Sequence, residues 1–333
     1  MNTPLPPADV LVTVRFFDDE AVAALERRGH RVVRADVAYD QLDTAITPGI
    51  EAALGRVQGW IIGAAPVTRQ LLSRFPHLKV VARRGVGFDS VDVSAIQDLG
   101  RVLTNTPGGN EPAVADHAIA LMLAVSKRVA ESHQRLRAGD WRAIVGGELH
   151  GKTVGLVGLG RIGRLVARRA AGFDTRVLAF DPYLDEDAAR QAGVTLCSLD
   201  QLLRESDFVS LHAPLTPQTQ GLIDAKTLSA MKPTAVLVNT SRGELIDEAA
   251  LLAALGAGRL GGAGLDVFLC ERNPAMRPLA DALLAMPNVI GTPHTAASTR
   301  ESLQRANLAA ATCVASVLED VPVPDSCTVA DGR

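Results

Sequence analysis

Three short polar segments interrupt apolar runs in the second half of the chain. They are NTSRG (239–243) after AVLV, DVFLCE (266–271) after GAGL, and TPH (292–294) after NVIG. Each reads as the carboxyl end of a β-strand, which is where open α/β sheets bind ligands. Arg242, Glu271 and His294 are therefore expected around one crevice. Their types suit hydride transfer at an alcohol carbon, where the hydroxyl proton must leave as the hydride does. A histidine side chain ordinarily titrates at about pH 6.5 and can take or give that proton. A neighbouring carboxylate favours the imidazolium and fixes the ring. A guanidinium can hold a carboxylate and polarise the adjacent carbonyl. His294 is thus the expected acid–base, Glu271 its partner, and Arg242 the anchor and electrophile. Taken singly, each would read as a structural histidine, a solvated glutamate or a salt-bridge arginine; their order and position make them a set.

A second signal is TVGLVGLGRIGRLVARRA (153–170). Gly158, Gly160 and Gly163 form GxGxxG between a strand and a helix. The first glycine permits the tight turn, the second lets backbone approach a pyrophosphate, and the third lets helix and strand pack closely. The helix N-terminus offers free N–H groups to phosphate. The next strand ends at Asp181, whose carboxylate can accept from a ribose 2′-hydroxyl and would repel a 2′-phosphate, so NAD is expected over NADP. The plainer reading is a turn that only packs a helix on a strand, with Asp181 capping it.

The elements that must position these groups alternate along the chain. β-rich runs at 10–16, 31–35, 60–62, 79–82 and 101–104 are separated by helical spacing, for example at 19–28 and 68–74. A second series runs at 153–157, 176–180, 208–212, 235–239, 262–267 and 289–291. Such βαβ series imply parallel sheets with helices on both faces, here one of six strands and a smaller one of about five. Between the series, 111–137 reads as one long helix, apolar nearly all round in its first half and therefore buried. Residues 138–150 read as a connecting arm, 299–318 as a last helix, and Pro6 and Pro7 and the terminal 321–333 as frayed ends.

The chain has 333 residues, enough for two domains. Its 47% hydrophobic and 21% charged composition is that of a globular protein. Lysine and arginine (34) nearly balance aspartate and glutamate (37), giving −3, so the basic surplus of a general nucleic-acid binder is missing. The run from Ala118 to Val125 is too short to span a membrane, which takes about 18 apolar residues, and MNTPLPPADV does not read as a secretory leader. Cys197, Cys270, Cys313 and Cys327 form no CxxC pair and read as reduced thiols of a cytoplasmic protein, with no metal site.

These motifs together resemble the D-isomer-specific 2-hydroxyacid dehydrogenases, most nearly the phosphoglycerate dehydrogenase branch. The matching stretches run from about 60 to 316: ARRGVGFDSVD (82–92), NTPGGNEPAVADHAIALML (105–123), GKTVGLVGLGRIG (151–163), FDPY (180–183), LHAPLTPQTQGLI (211–223), VNTSRGELIDEAAL (238–251), GLDVFLCERNP (264–274) and TPHTAAST (292–299). The resemblance implies two doubly wound parallel-sheet α/β domains. One is an NAD-binding Rossmann domain at 107–297, the other a smaller flavodoxin-like substrate domain made of 1–106 and 298–333. It implies Arg242, Glu271 and His294 as catalytic residues, and NAD contacts at Arg161, Ile162, Asp181, Ala213, Thr240, Arg242 and Asp266. It implies that amides of Gly85, Val86 and Gly87 hold the substrate carboxylate, with Arg83 beside them. It also implies a homodimer in which the long helix and the arm take part. His117 and His212 are expected to be structural.

The chain departs from the family pattern in three places. The acid is followed by Arg272 and Asn273 before Pro274. Gly63 and Ala64 stand where phosphoglycerate-specific members often carry an Arg–Ser pair. The sequence stops near 333, so no C-terminal regulatory domain is expected. The reading is an NAD-dependent enzyme for a small D-2-hydroxy acid or its 2-keto acid, of the 3-phosphoglycerate, glycerate or glyoxylate type. The alternatives are formate or phosphite oxidation and, from another class, an NAD-sensing corepressor-like scaffold.

Overall fold

The computed structural model describes residues 9–35 and 46–333. The first eight residues, on which the readings of a leader and a frayed start rest, lie outside the described residues. The chain divides into two compact units, Met1–Asn110 with Ser298–Arg333, and Glu111–Ala297.

The first unit carries strands β1 (Asp9–Val12), β2 (Arg31–Arg34), β3 (Gly59–Ile62), β4 (Val80–Arg83), β5 (Val102–Thr104) and β13 (Thr328–Asp331), in the order β13-β5-β4-β3-β1-β2. Its helices are α1 (Asp19–Arg27), α2 (Pro48–Leu54), α3 (Arg69–Arg74), α4 (Val93–Asp98) and α13 (Arg300–Leu318). Asp18, Thr47, Thr68, Asp92 and Thr299 each cap a helix by accepting a backbone N–H, the chemistry that makes short polar residues good helix starts. Two expectations need correction. The sheet has six strands, and it is mixed: the terminal segment expected to fray forms β13, antiparallel to β5 through Thr328, Ala330 and Asp331. Burial of Cys327 and Ala330 stabilises it there.

The second unit carries β6 (Thr153–Val157), β7 (Arg176–Phe180), β8 (Thr195–Leu196), β9 (Phe208–Leu211), β10 (Val236–Asn239), β11 (Gly262–Leu265) and β12 (Val289–Gly291). All are parallel, in the order β12-β11-β10-β9-β6-β7-β8. The sheet thus has seven strands where six are expected, because β8 is an edge strand of two residues, too short to show a period. The central strands are buried on both faces, as parallel sheets require. The helices are α5 (Glu111–Ser126), α6 (Val129–Arg137), α7 (Arg161–Ala171), α8 (Glu186–Gln191), α9 (Leu199–Glu205), α10 (Ala225–Ala230), α11 (Glu248–Gly256) and α12 (Arg277–Leu284).

The helix expected over 111–137 is two helices. Arg128 adopts φ 53°, and the Ser126 carbonyl, which a continuous helix would pair with residue 130, accepts from the Gly147 amide at 2.7 Å. The arm therefore ends α5. The apolar α5 lies directly on the sheet: Met122 and Val125 share a core with Val154, Leu156 and Val238. A Cβ on Gly262 would come within 2.7 Å of Val125, and one on Gly264 within 2.9 Å of Leu121. The glycines of GAGL thus bring α5 against β11, which places His117 beside the strand ends that carry the polar segments.

Candidate active site

The end of β12 is shaped by one buried carboxylate. Asp266 is wholly buried. It accepts from the Thr292 hydroxyl at 2.5 Å, the Thr295 amide at 2.8 Å and the Ala296 amide at 2.9 Å. Its carbonyl accepts the His294 amide at 2.7 Å. His294 is held at φ 52°, the left-handed region, costly for a residue with a side chain and common at functional sites. Its half-exposed ring reaches Glu271, with Nδ1 2.6 Å from Oε2. The other Glu271 oxygen accepts the Phe268 amide at 2.7 Å, so the carboxylate is fixed before it meets the ring.

Arg242 sits at the end of β10. The Asn239 side chain donates to the Arg242 carbonyl at 2.7 Å and accepts from the Ser241 amide at 3.0 Å. Gly243 then lies so close to the turn after β11 that a Cβ would meet the Phe268 carbonyl carbon at 2.4 Å. This close approach sets the Arg242 loop on the Glu271 loop. Arg272 and Glu244 join the same two loops at 3.4 Å.

The glycine turn fits a dinucleotide. Gly158 has φ 97°, and a Cβ there would meet the Ala213 amide nitrogen at 2.9 Å. Gly163 lies against Gly158, with 2.3 Å between its would-be Cβ and the Gly158 oxygen. Gly160 begins α7 with no side-chain cap, and a Cβ there would meet nothing within 4 Å. The start of α7 thus has no side-chain cap and room beside Gly160, which suits close approach of a pyrophosphate to the helix N-terminus. Asp181 accepts from the Leu159 amide at 2.9 Å and the Tyr183 amide at 3.0 Å, which holds its carboxylate at the end of β7. Arg161 lies 3.6 Å from the buried Glu111, and Ile162 is partly buried against the α5 core. Thr240 is buried and its hydroxyl has no protein partner among the described residues, so a ligand group can use it. Asp266, expected as a cofactor contact, braces the His294 turn from within.

In the other unit, Gly85 has φ 129°. Its amide donates to Thr106 Oγ1 at 2.8 Å, and Asn105 Nδ2 donates to the Val86 carbonyl at 2.8 Å. Arg83 precedes this turn at the end of β4 and donates to the Arg84 carbonyl.

The family model for the D-isomer specific 2-hydroxyacid dehydrogenase NAD binding domain matches residues 119–296, just over half of the chain. The chain belongs to the D-isomer specific 2-hydroxyacid dehydrogenase family. It is 44% identical over 291 residues to the D-3-phosphoglycerate dehydrogenase of Mycobacterium leprae, covering 86% of this chain and 53% of that protein. It is 42% identical over 264 residues to the glyoxylate reductase of Korarchaeum cryptofilum, covering 77% and 78%. The solved D-lactate dehydrogenase of Aquifex aeolicus, complexed with NAD and lactic acid, superposes with a TM-score of 0.81 at 30% identity, over 94% of this chain and 96% of that one. The chain spans about half the length of the curated phosphoglycerate dehydrogenases it matches. As a member of this family it carries an NAD-binding domain.

In this dehydrogenase-family site several residues have roles that no motif in the sequence signals. Glu248 is buried, accepts the Leu269 amide at 2.8 Å with one oxygen, and has no hydrogen-bond partner for the other among the described residues. Burial pushes its carboxyl above the usual range, helped by Glu271 and Glu244. Ser241 donates to the Ala213 carbonyl at 2.7 Å, tying the loop after β10 to the loop after β9. His117, expected to be structural, has Nε2 2.9 Å from Thr292 Oγ1 and 3.5 Å from Asp266. Among the described residues no His, Cys, Asp and Glu cluster could hold a metal ion, no helix is long and apolar enough to cross a membrane, and the four cysteines are free.

His212 follows β9, its backbone against Gly158, and burial pushes its imidazole down to about 4. The folded protein holds it neutral while an unfolded chain takes up a proton near pH 6.5. Its contribution to stability is therefore complete above that pH and lost as the pH falls towards 4, by about 3 kcal/mol in all. The Tm of the wild type should fall more steeply between pH 7 and pH 4.5 than that of His212→Gln. Parallel pH profiles for the two would remove this role.

Proposed function

We propose that this chain is an NAD-dependent oxidoreductase that interconverts a small D-2-hydroxy acid and its 2-keto acid. The observation that carries the reading is the His294–Glu271 pair, locked at 2.6 Å beside the Arg242 loop at adjoining strand ends. NAD, when bound, supplies the hydride acceptor, and NADH the donor. His294 takes the hydroxyl proton during oxidation and returns it to the carbonyl oxygen during reduction. Glu271 pairs with Nδ1 and fixes the ring. Arg242 holds the substrate carboxylate and polarises the carbonyl. The α7 amides, with Arg161 and Ile162, hold the pyrophosphate; Asp181 takes the ribose, and Ala213, Thr240 and Arg242 line the nicotinamide side. Gly158, Gly160 and Gly163 shape the turn.

The unit containing β1–β5 is the substrate domain. Because the Gly85 amide is committed to Thr106, the amides of Val86 and Gly87 are the groups of this turn assigned to the substrate carboxylate. A cytoplasmic homodimer fits the exposed apolar groups of α6 and the arm: Val129, Leu136, Trp141 and Val145 are 54%, 45%, 83% and 89% exposed, and self-association would cover them.

The substrate's other end is decided by donors near Gly63 and Ala64. A phosphate at C3 needs its own cations, best supplied by arginine, and this segment has none. With NADH, kcat/KM for hydroxypyruvate or glyoxylate should equal or exceed that for 3-phosphohydroxypyruvate. A hundredfold preference for the phosphorylated acid would overturn this and place the phosphate donors elsewhere, with Arg83 and Arg142 the first candidates. No turnover of any 2-keto acid would overturn the function itself.

A further inference from the structure

We propose that His117 is a positioning residue for His294, acting through Thr292 and Asp266. The proposal rests on the reading of His294 as the acid–base group. Thr292 has one hydroxyl proton, and it is directed to Asp266 Oδ1 at 2.5 Å. The contact of 2.9 Å between Thr292 Oγ1 and His117 Nε2 therefore requires the ring nitrogen to be the donor. A directed chain results, from His117 N–H to the Thr292 oxygen and from the Thr292 O–H to the Asp266 carboxylate.

That carboxylate is the keystone of the turn. Its two oxygens take the Thr295 and Ala296 amides, directly after His294, while the Asp266 carbonyl takes the His294 amide. The left-handed backbone at His294 is costly for a residue with a side chain and persists only where surroundings over-determine it. The hydrogen bonds to Asp266 supply that determination, and Thr292 is the residue through which α5 reaches them. Glycines 262 and 264 let α5 approach closely enough for the contact. His117 Nε2 also lies 3.5 Å from the wholly buried Asp266 carboxylate, which accepts from the Thr292 hydroxyl and the Thr295 and Ala296 amides. Loss of this donor leaves Thr292 held by Asp266 alone, loosens the turn and displaces the His294 ring from Glu271. Displacements near 1 Å at a reacting group cost about 100-fold in rate.

The test uses His117→Leu, His117→Gln, Thr292→Val and the double variant His117→Leu/Thr292→Val, all in the full chain. Glutamine restores a donor close to the position of Nε2. With NADH and the best 2-keto acid, His117→Leu should lower kcat 10- to 100-fold with KM changed less than about threefold. His117→Gln should stay within about threefold of wild type. The double variant should be no slower than the slower single one, because both break one chain. A second readout needs no turnover. In the spectrum of protein carrying 15N-histidine, the His294 signal, assigned by its loss in His294→Ala, should move in His117→Leu and Thr292→Val and keep its place in His117→Gln. Where His117→Leu does not fold, Thr292→Val and His117→Gln carry both readouts. The proposal is overturned if the His294 signal stays in place in Thr292→Val, if glutamine fails to rescue, or if the two single effects multiply. Full activity of His294→Ala, by contrast, would remove the acid–base reading and leave the spectral result to decide whether His117 positions the ring.

Discussion

His294→Ala should lower kcat by 100- to 10,000-fold while NADH binds with nearly unchanged affinity. The size follows from the usual contribution of a positioned proton-transfer group. The separation of effects follows from the fold. His294 lies after β12, and the phosphate turn lies after β6, with β9, β10 and β11 between those strands in the sheet. Removing the ring also leaves the turn intact, because Asp266 holds it by the amides of residues 294–296 through its carbonyl and carboxylate. Glu271→Gln should cost less, since the Phe268 amide still anchors its side chain and only the charge beside the imidazole is lost. Steady-state kinetics with NADH and a 2-keto acid, together with fluorescence titration of NADH, measure both parts. A mutant that keeps a tenth or more of wild-type kcat would remove His294 from the chemistry. A corepressor-like scaffold would not need His294 for turnover at all.

NADH should be preferred to NADPH by about 100-fold in kcat/KM, equivalent to about 2.8 kcal/mol at about 1.4 kcal/mol per decade. Asp181 causes this. Two backbone amides fix its carboxylate at the end of β7, one of them the Leu159 amide inside the glycine turn. The carboxylate therefore cannot swing away from a 2′-phosphate. Like charges about 4 Å apart repel by about 4 kcal/mol at the effective dielectric of a protein surface, and water and salt reduce that figure. Asp181→Asn should narrow the preference to less than about tenfold, because it removes the charge and keeps an oxygen for the Leu159 amide. Asp181→Ala should narrow it too, with an added loss for NADH because the turn loses its tether. Preference of the wild type for NADPH would end the role given to Asp181.

How far each feature could be read in advance depends on how local its cause is. The Gly158–Gly160–Gly163 turn, Asp181 and the six long strands of the second unit follow from glycine chemistry and from apolar runs of ordinary strand length. Those signals lie within a few residues of one another. The same holds for the polar residues at strand ends, since apolar strands make Arg242, Glu271 and His294 conspicuous. The break between α5 and α6 was not legible, because nothing in 126–129 forbids helix; the Gly147 amide, some twenty residues on, takes the carbonyl that would have continued it. β13 was not legible because its pairing with β5 joins residues more than 220 apart, and four residues after a proline-rich stretch carry no period of their own. The two-residue β8 has the same difficulty.

Composition, glycine spacing and strand-end patterning therefore made two α/β units, a glycine turn between strand and helix, and a set of polar strand-end residues legible, because each is written in residue types close together in the chain. Tertiary structure decided which polar atoms meet. It turned Asp266 inward to brace the His294 turn, brought His117 across 175 residues to Thr292, and buried Glu248 beneath the Glu271 loop. It also committed the Gly85 amide to Thr106. The physical reason is the same in each case: a buried donor or acceptor left unpaired costs about 1–3 kcal/mol, so packing selects its partner from whatever the fold brings within 3 Å, at any distance along the chain.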